Sequence, residues 1–296
     1  MKITLTGSLG HIGKPLTEQL VQKGHAVNVI SSNPEKQKDI ALLGATAEIG
    51  SMHDVDFLTA SFRGADVVYT MVPPADYFDQ KLDLLAHYQK IGTNYAAAIQ
   101  QSGVKRIINL STIGGEMEKG SGILIGAHRV EEILNGLPDI NITHIRPTSF
   151  YYNLYSYADM IKQAGRIETN YGDTKIPWVS PLDIASAIAD EIASASQYRK
   201  VRYVASEELT GPETAKILGA VLGNPDLQWK VISDEDALNG LEGIGINPKI
   251  AAGLVEMYAA LQSGFLAQDY NRNKPAILGK TKLEDFAKEF ALVLNK

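Results

Sequence analysis

The first 24 residues constrain the fold of this chain more than any other segment. A short apolar stretch at residues 1–5 is followed by Gly7, Gly10 and Gly13, which are spaced three apart. Residues 12–21 then place apolar side chains at helical spacing. Such glycines allow a tight turn, close approach of a phosphate to the backbone, and close packing of helix on strand. The pattern predicts a strand–turn–helix unit that binds a dinucleotide; the alternative is a glycine-rich turn without a ligand.

The turn itself supplies most of the predicted cofactor contacts. Free amide groups at the start of the helix carry partial positive charge, which favours a diphosphate. The residues expected to contact the cofactor here are Gly7, Leu9, Gly10, His11, Ile12 and Gly13.

Composition excludes several classes of protein. The 296 residues carry a formal net charge of −6 and no run of Lys and Arg, which argues against nucleic-acid binding by a basic patch. No stretch approaches the roughly 18 apolar residues of a membrane span, and no secretion signal is evident. There is no cysteine and the six histidines are scattered, so neither disulfides nor a metal site are expected. We expect a cytoplasmic protein with a small-molecule partner; whether it is a monomer or a dimer stays open.

Up to about residue 146 the sequence alternates strand-like and helix-like segments. Helices between successive strands require parallel neighbours and right-handed crossovers. The predicted fold is therefore α/β, a Rossmann-type doubly wound parallel sheet in residues 1–150. After the first unit, strands are predicted at residues 25–30, 46–49, 66–70, 105–110 and 141–145, and helices at residues 34–43, 55–62, 77–102 and 126–134.

Beyond residue 146 the alternation is weaker. No repeat or low-complexity linker separates the two parts of the chain. We expect residues 151–296 to form a smaller, mostly helical substrate-side lobe packed on the first domain, with segments that interleave with it. Helices are predicted at residues 181–193, 212–222, 233–241, 248–263 and 282–294, and short strands at residues 201–204 and 229–232.

The end of the second predicted strand bears on the choice of dinucleotide. An acidic side chain there would bind the ribose 2′-hydroxyl and repel a 2′-phosphate. Ser31, Ser32 and Asn33 stand there instead, and they can donate hydrogen bonds to a phosphate. The same residues also suit the cap of the next helix, and the two roles are compatible. The sequence favours NADPH, with NAD as the alternative cofactor because no arginine is present.

Motifs in four parts of the chain carry a family resemblance. They are Thr6-Gly7-Ser8-Leu9-Gly10-His11-Ile12-Gly13, then Ser102-Gly103-Val104-Lys105-Arg106 leading into Asn109-Leu110-Ser111, then Arg146-Pro147-Thr148-Ser149-Phe150 ending at Asn153, and Pro181-Leu182-Asp183-Ile184-Ala185. With these motifs, nearly the whole chain resembles atypical short-chain dehydrogenases/reductases of the NmrA-like group. That group includes NADPH-dependent quinone reductases, triphenylmethane-dye reductases and redox-sensing regulators that bind the cofactor without turnover.

Two positions depart from the pattern that the resemblance implies. The third strand of most members ends in Gly-Asp and a hydrophobic residue beside the adenine, whereas this chain has Gly50-Ser51-Met52. The broader superfamily places a Tyr and a Lys four residues apart on the helix after the fifth strand, and Leu124 and His128 occupy those positions here. The usual proton donor to a carbonyl is therefore absent, which argues against sugar epimerase or ordinary ketone reductase chemistry.

Reduction of a conjugated acceptor needs less from a protein acid, because the accepted charge spreads over the ring system. The predicted function is an NAD(P)H-dependent oxidoreductase that reduces a quinone-like or other conjugated acceptor by direct hydride transfer. The alternative is a non-catalytic NAD(P)-sensing regulator. The remaining candidates are Met52, Met71, Val72 and Pro73 for the cofactor, Phe150, Tyr152 and Asn153 for the substrate, and His128, Ser111 and Tyr151 for catalysis.

Three polar residues have an alternative or a structural interpretation. His128 either contacts the ribose or substrate or faces solvent near Glu131 and Glu132. Arg146, which follows a strand, is expected to pair with a carboxylate. Asp183 is expected in the first turn of a helix, where negative charge is favoured.

Overall fold

The computed structural model describes residues 1–194 and 200–294, and its central element is a parallel sheet of seven strands. The strands are β1 (Lys2–Leu5), β2 (Ala26–Ser31), β3 (Thr46–Ile49), β4 (Val67–Thr70), β5 (Arg106–Leu110), β6 (Asn141–Pro147) and β10 (Lys200–Val204). Their spatial order is β3-β2-β1-β4-β5-β6-β10, and every neighbouring pair is parallel. The order reverses between β1 and β4, which is the position where such sheets bind ligands. The predicted Rossmann-type fold is confirmed.

Helices cover both faces of this sheet. Alternating side chains of the strands point to opposite faces, as Val67 and Val68 do, and each face is buried under its own set of helices. The helices are α1 (Gly13–Gln22), α2 (Lys36–Leu42), α3 (Val55–Phe62), α4 (Leu84–Ser102), α5 (Ile125–Asn135) and α7 (Pro181–Ala193). One face is covered by α1 and α7, with Ile40 of α2 near the β3 edge, and the other face is covered by α3, α4 and α5.

Two helices begin later than the sequence predicted. Helix α4 begins at Leu84 rather than at residue 77, because the Asp83 carboxylate accepts a hydrogen bond from the amide of Ala86 at 2.9 Å and caps the helix there. Residues 71–83 form an irregular loop at the carboxyl end of β4. Helix α2 begins at Lys36 rather than at residue 34, since residues 34–35 form a turn.

The chain after β6 builds two small sheets and further helices. β11 (Glu207–Leu209), β9 (Ile176–Val179) and β7 (Ser149–Phe150) form a three-stranded sheet, and β8 (Arg166–Thr169) pairs in parallel with β12 (Gln228–Val231). The predicted strand near residues 229–232 is confirmed, whereas β7, β8, β9 and β11 were not predicted. A 3₁₀ helix spans Tyr151–Tyr157, and the helices of this part are α6 (Ala158–Ala164), α8 (Gly211–Leu222), α9 (Asp234–Gly243), α10 (Pro248–Gln262), α11 (Gln268–Arg272) and α12 (Leu283–Leu294).

One segment of the later half returns to the central sheet. Strand β10 pairs with β6 over residues 143–147, and α7 packs against α1. Asp183 lies in the first turn of α7 as predicted, and its carboxylate also accepts hydrogen bonds from Ser206 Oγ at 2.6 Å and from the Thr281 amide at 3.0 Å. The division into domains at residue 150 stays a prediction. Within the described ranges no helix is long and apolar enough to cross a membrane.

Candidate functional site

The turn between β1 and α1 leaves open space above its middle glycine. A β-carbon on Gly13 would lie 2.1 Å from the carbonyl oxygen of Ser8, so the turn and the helix pack as closely as a glycine permits. A β-carbon on Gly10 would meet no atom closer than 3.8 Å. Helix α1 has neither a side-chain cap nor an acidic residue in its first turn. Its N-terminus therefore keeps its partial positive charge available, and the turn fits a dinucleotide diphosphate.

The side chains of the turn point in different directions. Ile12 is buried in the core under α1, Leu9 is half-buried against that core, and His11 is exposed. Gly7 has a φ of +93°, and a β-carbon there would lie 2.6 Å from Met71 Sδ. Met71 therefore covers one side of the turn, and His11 is the one non-glycine residue of the turn that is exposed.

Tyr95 on α4 holds the ends of three strands together, a role that the sequence did not reveal. Its hydroxyl donates to the carbonyl oxygen of Met71 at 2.7 Å and lies 3.2 Å from Thr6 Oγ1 and 2.8 Å from Met52 Sδ. The neighbouring Asn94 donates to the carbonyl oxygen of Met52 at 3.0 Å. Burial raises the pKa of Tyr95 above its ordinary value, so the hydroxyl stays protonated. Helical periodicity marks Tyr95 only as a core residue, because the strand ends that it joins are distant in sequence.

Two of the three residues predicted to contact a 2′-phosphate are exposed. Ser31 is buried, and its Oγ accepts hydrogen bonds from Ser8 Oγ at 3.0 Å and from the Asn33 amide at 3.2 Å. Ser32 and Asn33 are exposed at the tip of β2. The side-chain oxygen of Asn33 accepts a hydrogen bond from the Glu35 amide at 2.9 Å, which leaves its NH₂ group free to donate.

The loop after β4 is fastened to the C-terminal part of the chain. Its first residues, Val72 and Pro73, are half-buried beside Met71. Further along, the Asn247 amide donates to the carbonyl oxygen of Tyr77 at 2.9 Å, and the Asn247 side chain donates to that of Asp79 at 3.0 Å. These bonds hold the loop against α10, which begins at the residue after Asn247.

Three aromatic rings form a continuous stack beside the glycine turn. The rings of Phe150 and Tyr152 are stacked at 4.8 Å between centroids with an interplanar angle of 15°. The His11 ring also stacks on Tyr152, at 4.8 Å between centroids and 18°. The structure thus brings predicted cofactor and substrate residues together, whereas Asn153 lies exposed outside the stack.

Tyr151 does not belong to this site. Its ring is fully buried between Trp178 and Phe286, at centroid distances of 6.3 and 5.6 Å. Its hydroxyl donates to Glu207 Oε1 at 2.5 Å. Burial and the adjacent carboxylate raise the pKa of Tyr151 well above its ordinary value. The expectation of a catalytic Tyr151 is corrected, because the ring points into the core of the C-terminal part.

Ser111 belongs to a buried charged network. Its Oγ donates to Glu131 Oε1 at 2.5 Å, which uses its only hydroxyl proton. Glu131 also forms a bidentate pair with Arg146, from Nε to Oε1 at 2.9 Å and from Nη2 to Oε2 at 2.7 Å. The predicted pairing of Arg146 with a carboxylate is confirmed. The sequence did not identify Glu131 as the partner of Arg146, because Glu131 stands next to Glu132, which is exposed, and nothing local distinguishes the two.

His128 is buried, so the interpretation as a solvent-facing residue is wrong. Its Nδ1 donates to the carbonyl oxygen of Gly115 at 2.9 Å. Within the part of the chain that the structure describes, Nε2 has no hydrogen-bond partner and lies 3.6 Å from Glu132 Oε1. A role for His128 in contacting ligand stays a prediction. In residues 1–194 and 200–294 no group of three or more His, Asp or Glu residues could hold a metal ion.

Comparison with known proteins finds a family match and similarity to reductases and to a transcriptional regulator. The model of the NmrA-like family matches residues 1–269. The NAD(P)H azoreductase of Xenophilus azovorans is 22% identical over 268 residues, which are 90% of this chain and 89% of that enzyme. An NADPH-dependent quinone oxidoreductase of Escherichia coli, solved with NADPH, is 22% identical with a TM-score of 0.82 over 97% of this chain and 99% of that one. The negative transcriptional regulator NmrA, solved with NADP, is 13% identical with a TM-score of 0.71 over 99% and 95%.

Proposed function

The chain belongs to the NmrA-like family, and from this premise we propose that it is an NADPH-dependent reductase that passes a hydride directly to a quinone-like or other conjugated acceptor. The observation that carries the proposal is the stack of His11, Tyr152 and Phe150 beside the glycine turn. It forms an aromatic wall next to the point where strand order reverses, and such walls are typical of sites for flat organic ligands. The relatives named as azoreductase and quinone oxidoreductase support the same chemistry.

NADPH is the proposed cofactor. The related quinone oxidoreductase and regulator were solved with NADPH and NADP, which supports this choice. At the tip of β2 the chain offers the exposed Ser32 and the free NH₂ group of Asn33, and no carboxylate stands at that position. A 2′-phosphate would therefore meet hydrogen-bond donors rather than a repelling charge.

The chemistry assigned to the chain is positioning rather than acid catalysis. Bound NADPH supplies the hydride. The amides of the turn and of the α1 N-terminus hold its diphosphate, and the aromatic wall holds the acceptor. Leu124, at the position of the superfamily tyrosine, is half-buried against the core of the C-terminal part and has no proton to give. The proposed acceptor is accordingly one whose reduced form needs no strong acid from the protein.

Consumption of NADPH by the purified protein with a panel of quinones tests this function. We expect the near-ultraviolet absorbance of NADPH to fall faster than in buffer when a para-naphthoquinone is present, with one hydroquinone formed for each NADPH consumed. Tight NADPH binding without oxidation by any acceptor would favour a sensor of the NADPH/NADP⁺ balance instead. That second candidate is supported by the likeness to the regulator NmrA over 99% of this chain.

Replacing Ser32 with aspartate should invert the cofactor preference. The new carboxylate would stand at the exposed tip of β2 and repel a 2′-phosphate, while it could accept a hydrogen bond from the 2′-hydroxyl of NADH. We expect NADPH to bind roughly 10- to 100-fold more weakly and NADH to bind equally well or better, as measured by fluorescence titration. Ser32→Ala is the matched control and should change NADPH affinity only a few-fold. An unchanged NADPH/NADH ratio in S32D would contradict the proposed placement of the 2′-phosphate.

A further inference from the structure

The hydroxyl group of Tyr95 closes a ring of hydrogen bonds at the carboxyl ends of β1 and β4. It donates to the carbonyl oxygen of Met71 at 2.7 Å. The amide of Met71 donates to Thr6 Oγ1 at 3.0 Å, and Thr6 Oγ1 lies 3.2 Å from the Tyr95 oxygen. Because the hydroxyl proton of Thr6 is left for the Tyr95 oxygen, each donor in the ring has an acceptor. Thr6 and Tyr95 therefore fix both polar groups of the Met71 main chain.

This ring of hydrogen bonds borders the glycine turn on two sides. Thr6 directly precedes Gly7 in the chain. Across the turn, the Met71 side chain packs against Gly7 so closely that a β-carbon there would lie 2.6 Å from Met71 Sδ. The hydrogen bonds that hold Met71 in place consequently also limit the conformations that the turn can adopt.

The same two positions of α4 hold the end of β3. The side chain of Asn94 donates to the carbonyl oxygen of Met52 at 3.0 Å, and the Tyr95 hydroxyl lies 2.8 Å from Met52 Sδ. Met52 is the residue predicted to lie beside the adenine, whereas Met71 and the glycine turn are predicted to contact other parts of the cofactor. One buried hydroxyl thus connects two ends of the predicted cofactor site.

The hydroxyl is not required by the apolar packing around Tyr95. The ring is fully buried in the core that α3, α4 and α5 cover, with its centroid 6.4 Å from that of Phe62. A phenylalanine would fill this place and avoid the cost of burying a hydroxyl group. The partners of the hydroxyl all lie at strand ends that border the predicted cofactor site. This placement connects the polar group of Tyr95 with the cofactor site rather than with the core.

We propose that Tyr95 is a positioning residue for the cofactor, acting with Thr6 as one hydrogen-bonded unit that holds Met52 and Met71 where NADPH binds. Tyr95 is fully buried, so it acts through these residues rather than by contact with the cofactor. The inference rests on the proposed cofactor and adds to the predicted contacts a residue outside them.

The physical effect of the hydroxyl is preorganisation of the free protein. Only the fraction of the protein that already has the binding conformation takes up the cofactor, so a smaller fraction lowers the apparent affinity. Without the hydroxyl, the ends of β3 and β4 lose the partner that they share. NADPH would then have to order both ends as it binds, and its affinity would fall although no contact with it is removed.

Titration with NADPH, followed by fluorescence, tests this role in the whole protein. The variant is Tyr95→Phe, which keeps the ring and removes only the hydroxyl. The matched control is Tyr270→Phe, because Tyr270 is 1% exposed and its hydroxyl donates to Glu208 Oε1 at 2.9 Å in the C-terminal part. A hydrogen bond to a carboxylate is stronger than one to a neutral acceptor, so the control should lose at least as much stability.

We expect Y95F to bind NADPH roughly five- to tenfold more weakly, which corresponds to one hydrogen bond. Y270F should bind NADPH as the wild type does, although its melting temperature falls at least as far as that of Y95F. Wild-type affinity in Y95F would overturn the inference. An equal loss of affinity in Y270F would overturn it as well, since a general loss of stability would then explain both variants.

Hydrogen exchange followed by mass spectrometry shows whether the free site has lost its order. In Y95F without ligand, the amides of residues 6–13, 50–54 and 71–73 should exchange faster than in the wild type, and saturating NADPH should restore their protection. The same segments of Y270F should exchange as in the wild type. Unchanged exchange of these segments in Y95F would contradict the positioning role.

A second variant breaks the ring of hydrogen bonds at another point. Thr6→Val keeps the shape of the side chain and removes the acceptor of the Met71 amide, so it should weaken NADPH binding about as much as Y95F. The double variant should bind no more weakly than the weaker of the two single variants, because either change opens the same ring. A double variant whose loss is the product of the two single losses would overturn the proposal of one unit.

Turnover separates this inference from the proposed function. If Y95F alone loses NADPH affinity but the wild type reduces no quinone, the proposed reductase fails and the positioning role stands. If the wild type reduces quinones and Y95F binds NADPH equally tightly, the reductase stands and the inference fails. A wild-type protein that binds no NADPH would overturn both.

Discussion

Replacing Gly10 with alanine should weaken NADPH binding roughly 100-fold, a loss of about 2.7 kcal/mol, without lowering the stability of the free protein. The added β-carbon would meet no protein atom closer than 3.8 Å, so the fold has room for it. A diphosphate that lies over the turn would occupy that same room, and a methyl group there would displace it. Fluorescence titration with NADPH and thermal unfolding without ligand measure the two effects separately.

Two further glycine variants serve as controls for Gly10→Ala. Gly240→Ala, on the exposed side of α9, also places its β-carbon where no atom outside the helix backbone lies within 4 Å, and it should leave NADPH affinity unchanged without lowering stability. Gly13→Ala would bring its β-carbon to 2.1 Å from the Ser8 carbonyl oxygen, so it should lower stability as well as affinity. Normal NADPH binding by G10A would contradict the hypothesis that the glycine turn binds the diphosphate.

The sequence predicted the central fold because its signals are local. The glycine turn occupies one continuous segment, and each of the first five strands of the sheet is followed by a helix with its own apolar periodicity. The start of α4 was missed because Tyr77, Leu82 and Leu84 extend an apolar pattern backwards through Asp83, where the helix is capped. Strands β7, β8, β9 and β11 have only two to four residues each. These strands lie outside the regular strand–helix alternation of the first half of the chain, and periodicity does not reveal the partners on which such short strands depend.

The site was predictable only where its residues are adjacent in the chain. The contacts of the glycine turn and the neighbouring pair of Phe150 and Tyr152 fall in this class. The stacking of His11 on Tyr152 joins two residues that lie far apart in the chain, so no spacing rule points to their contact. Glu131 and Glu132 show the same limit, since two adjacent identical residues on a helix face different directions, and only the fold shows that Glu131 faces the buried Arg146.

Replacing Arg146 with methionine should lower the free energy of unfolding by roughly 3–5 kcal/mol. The side chains of Arg146 and Glu131 are each only 6% exposed, so the variant would leave a buried carboxylate without its cation. Glu116 and Asp269 would lose the same partner, at 2.9 and 3.3 Å from Arg146 Nη1. Urea unfolding measures the loss. Lys288→Met is the matched control, because Lys288 and Asp285 form an exposed pair that is worth about 1 kcal/mol or less.

A second substitution shows whether the loss of stability comes from the unpaired Glu131 carboxylate or from the lost packing of the Arg146 side chain. In the double variant Arg146→Met with Glu131→Leu the buried carboxylate is gone, and we expect most of the lost stability to return, because two apolar side chains can fill the space of a buried ion pair. Ser111 would then lose the acceptor of its hydroxyl, a residual cost of about 1 kcal/mol. If R146M unfolds at the urea concentration of the wild type, the network does not stabilise the junction of β6 with α5. If the double variant is no more stable than R146M, the stability depends on the packing of Arg146 rather than on its charge.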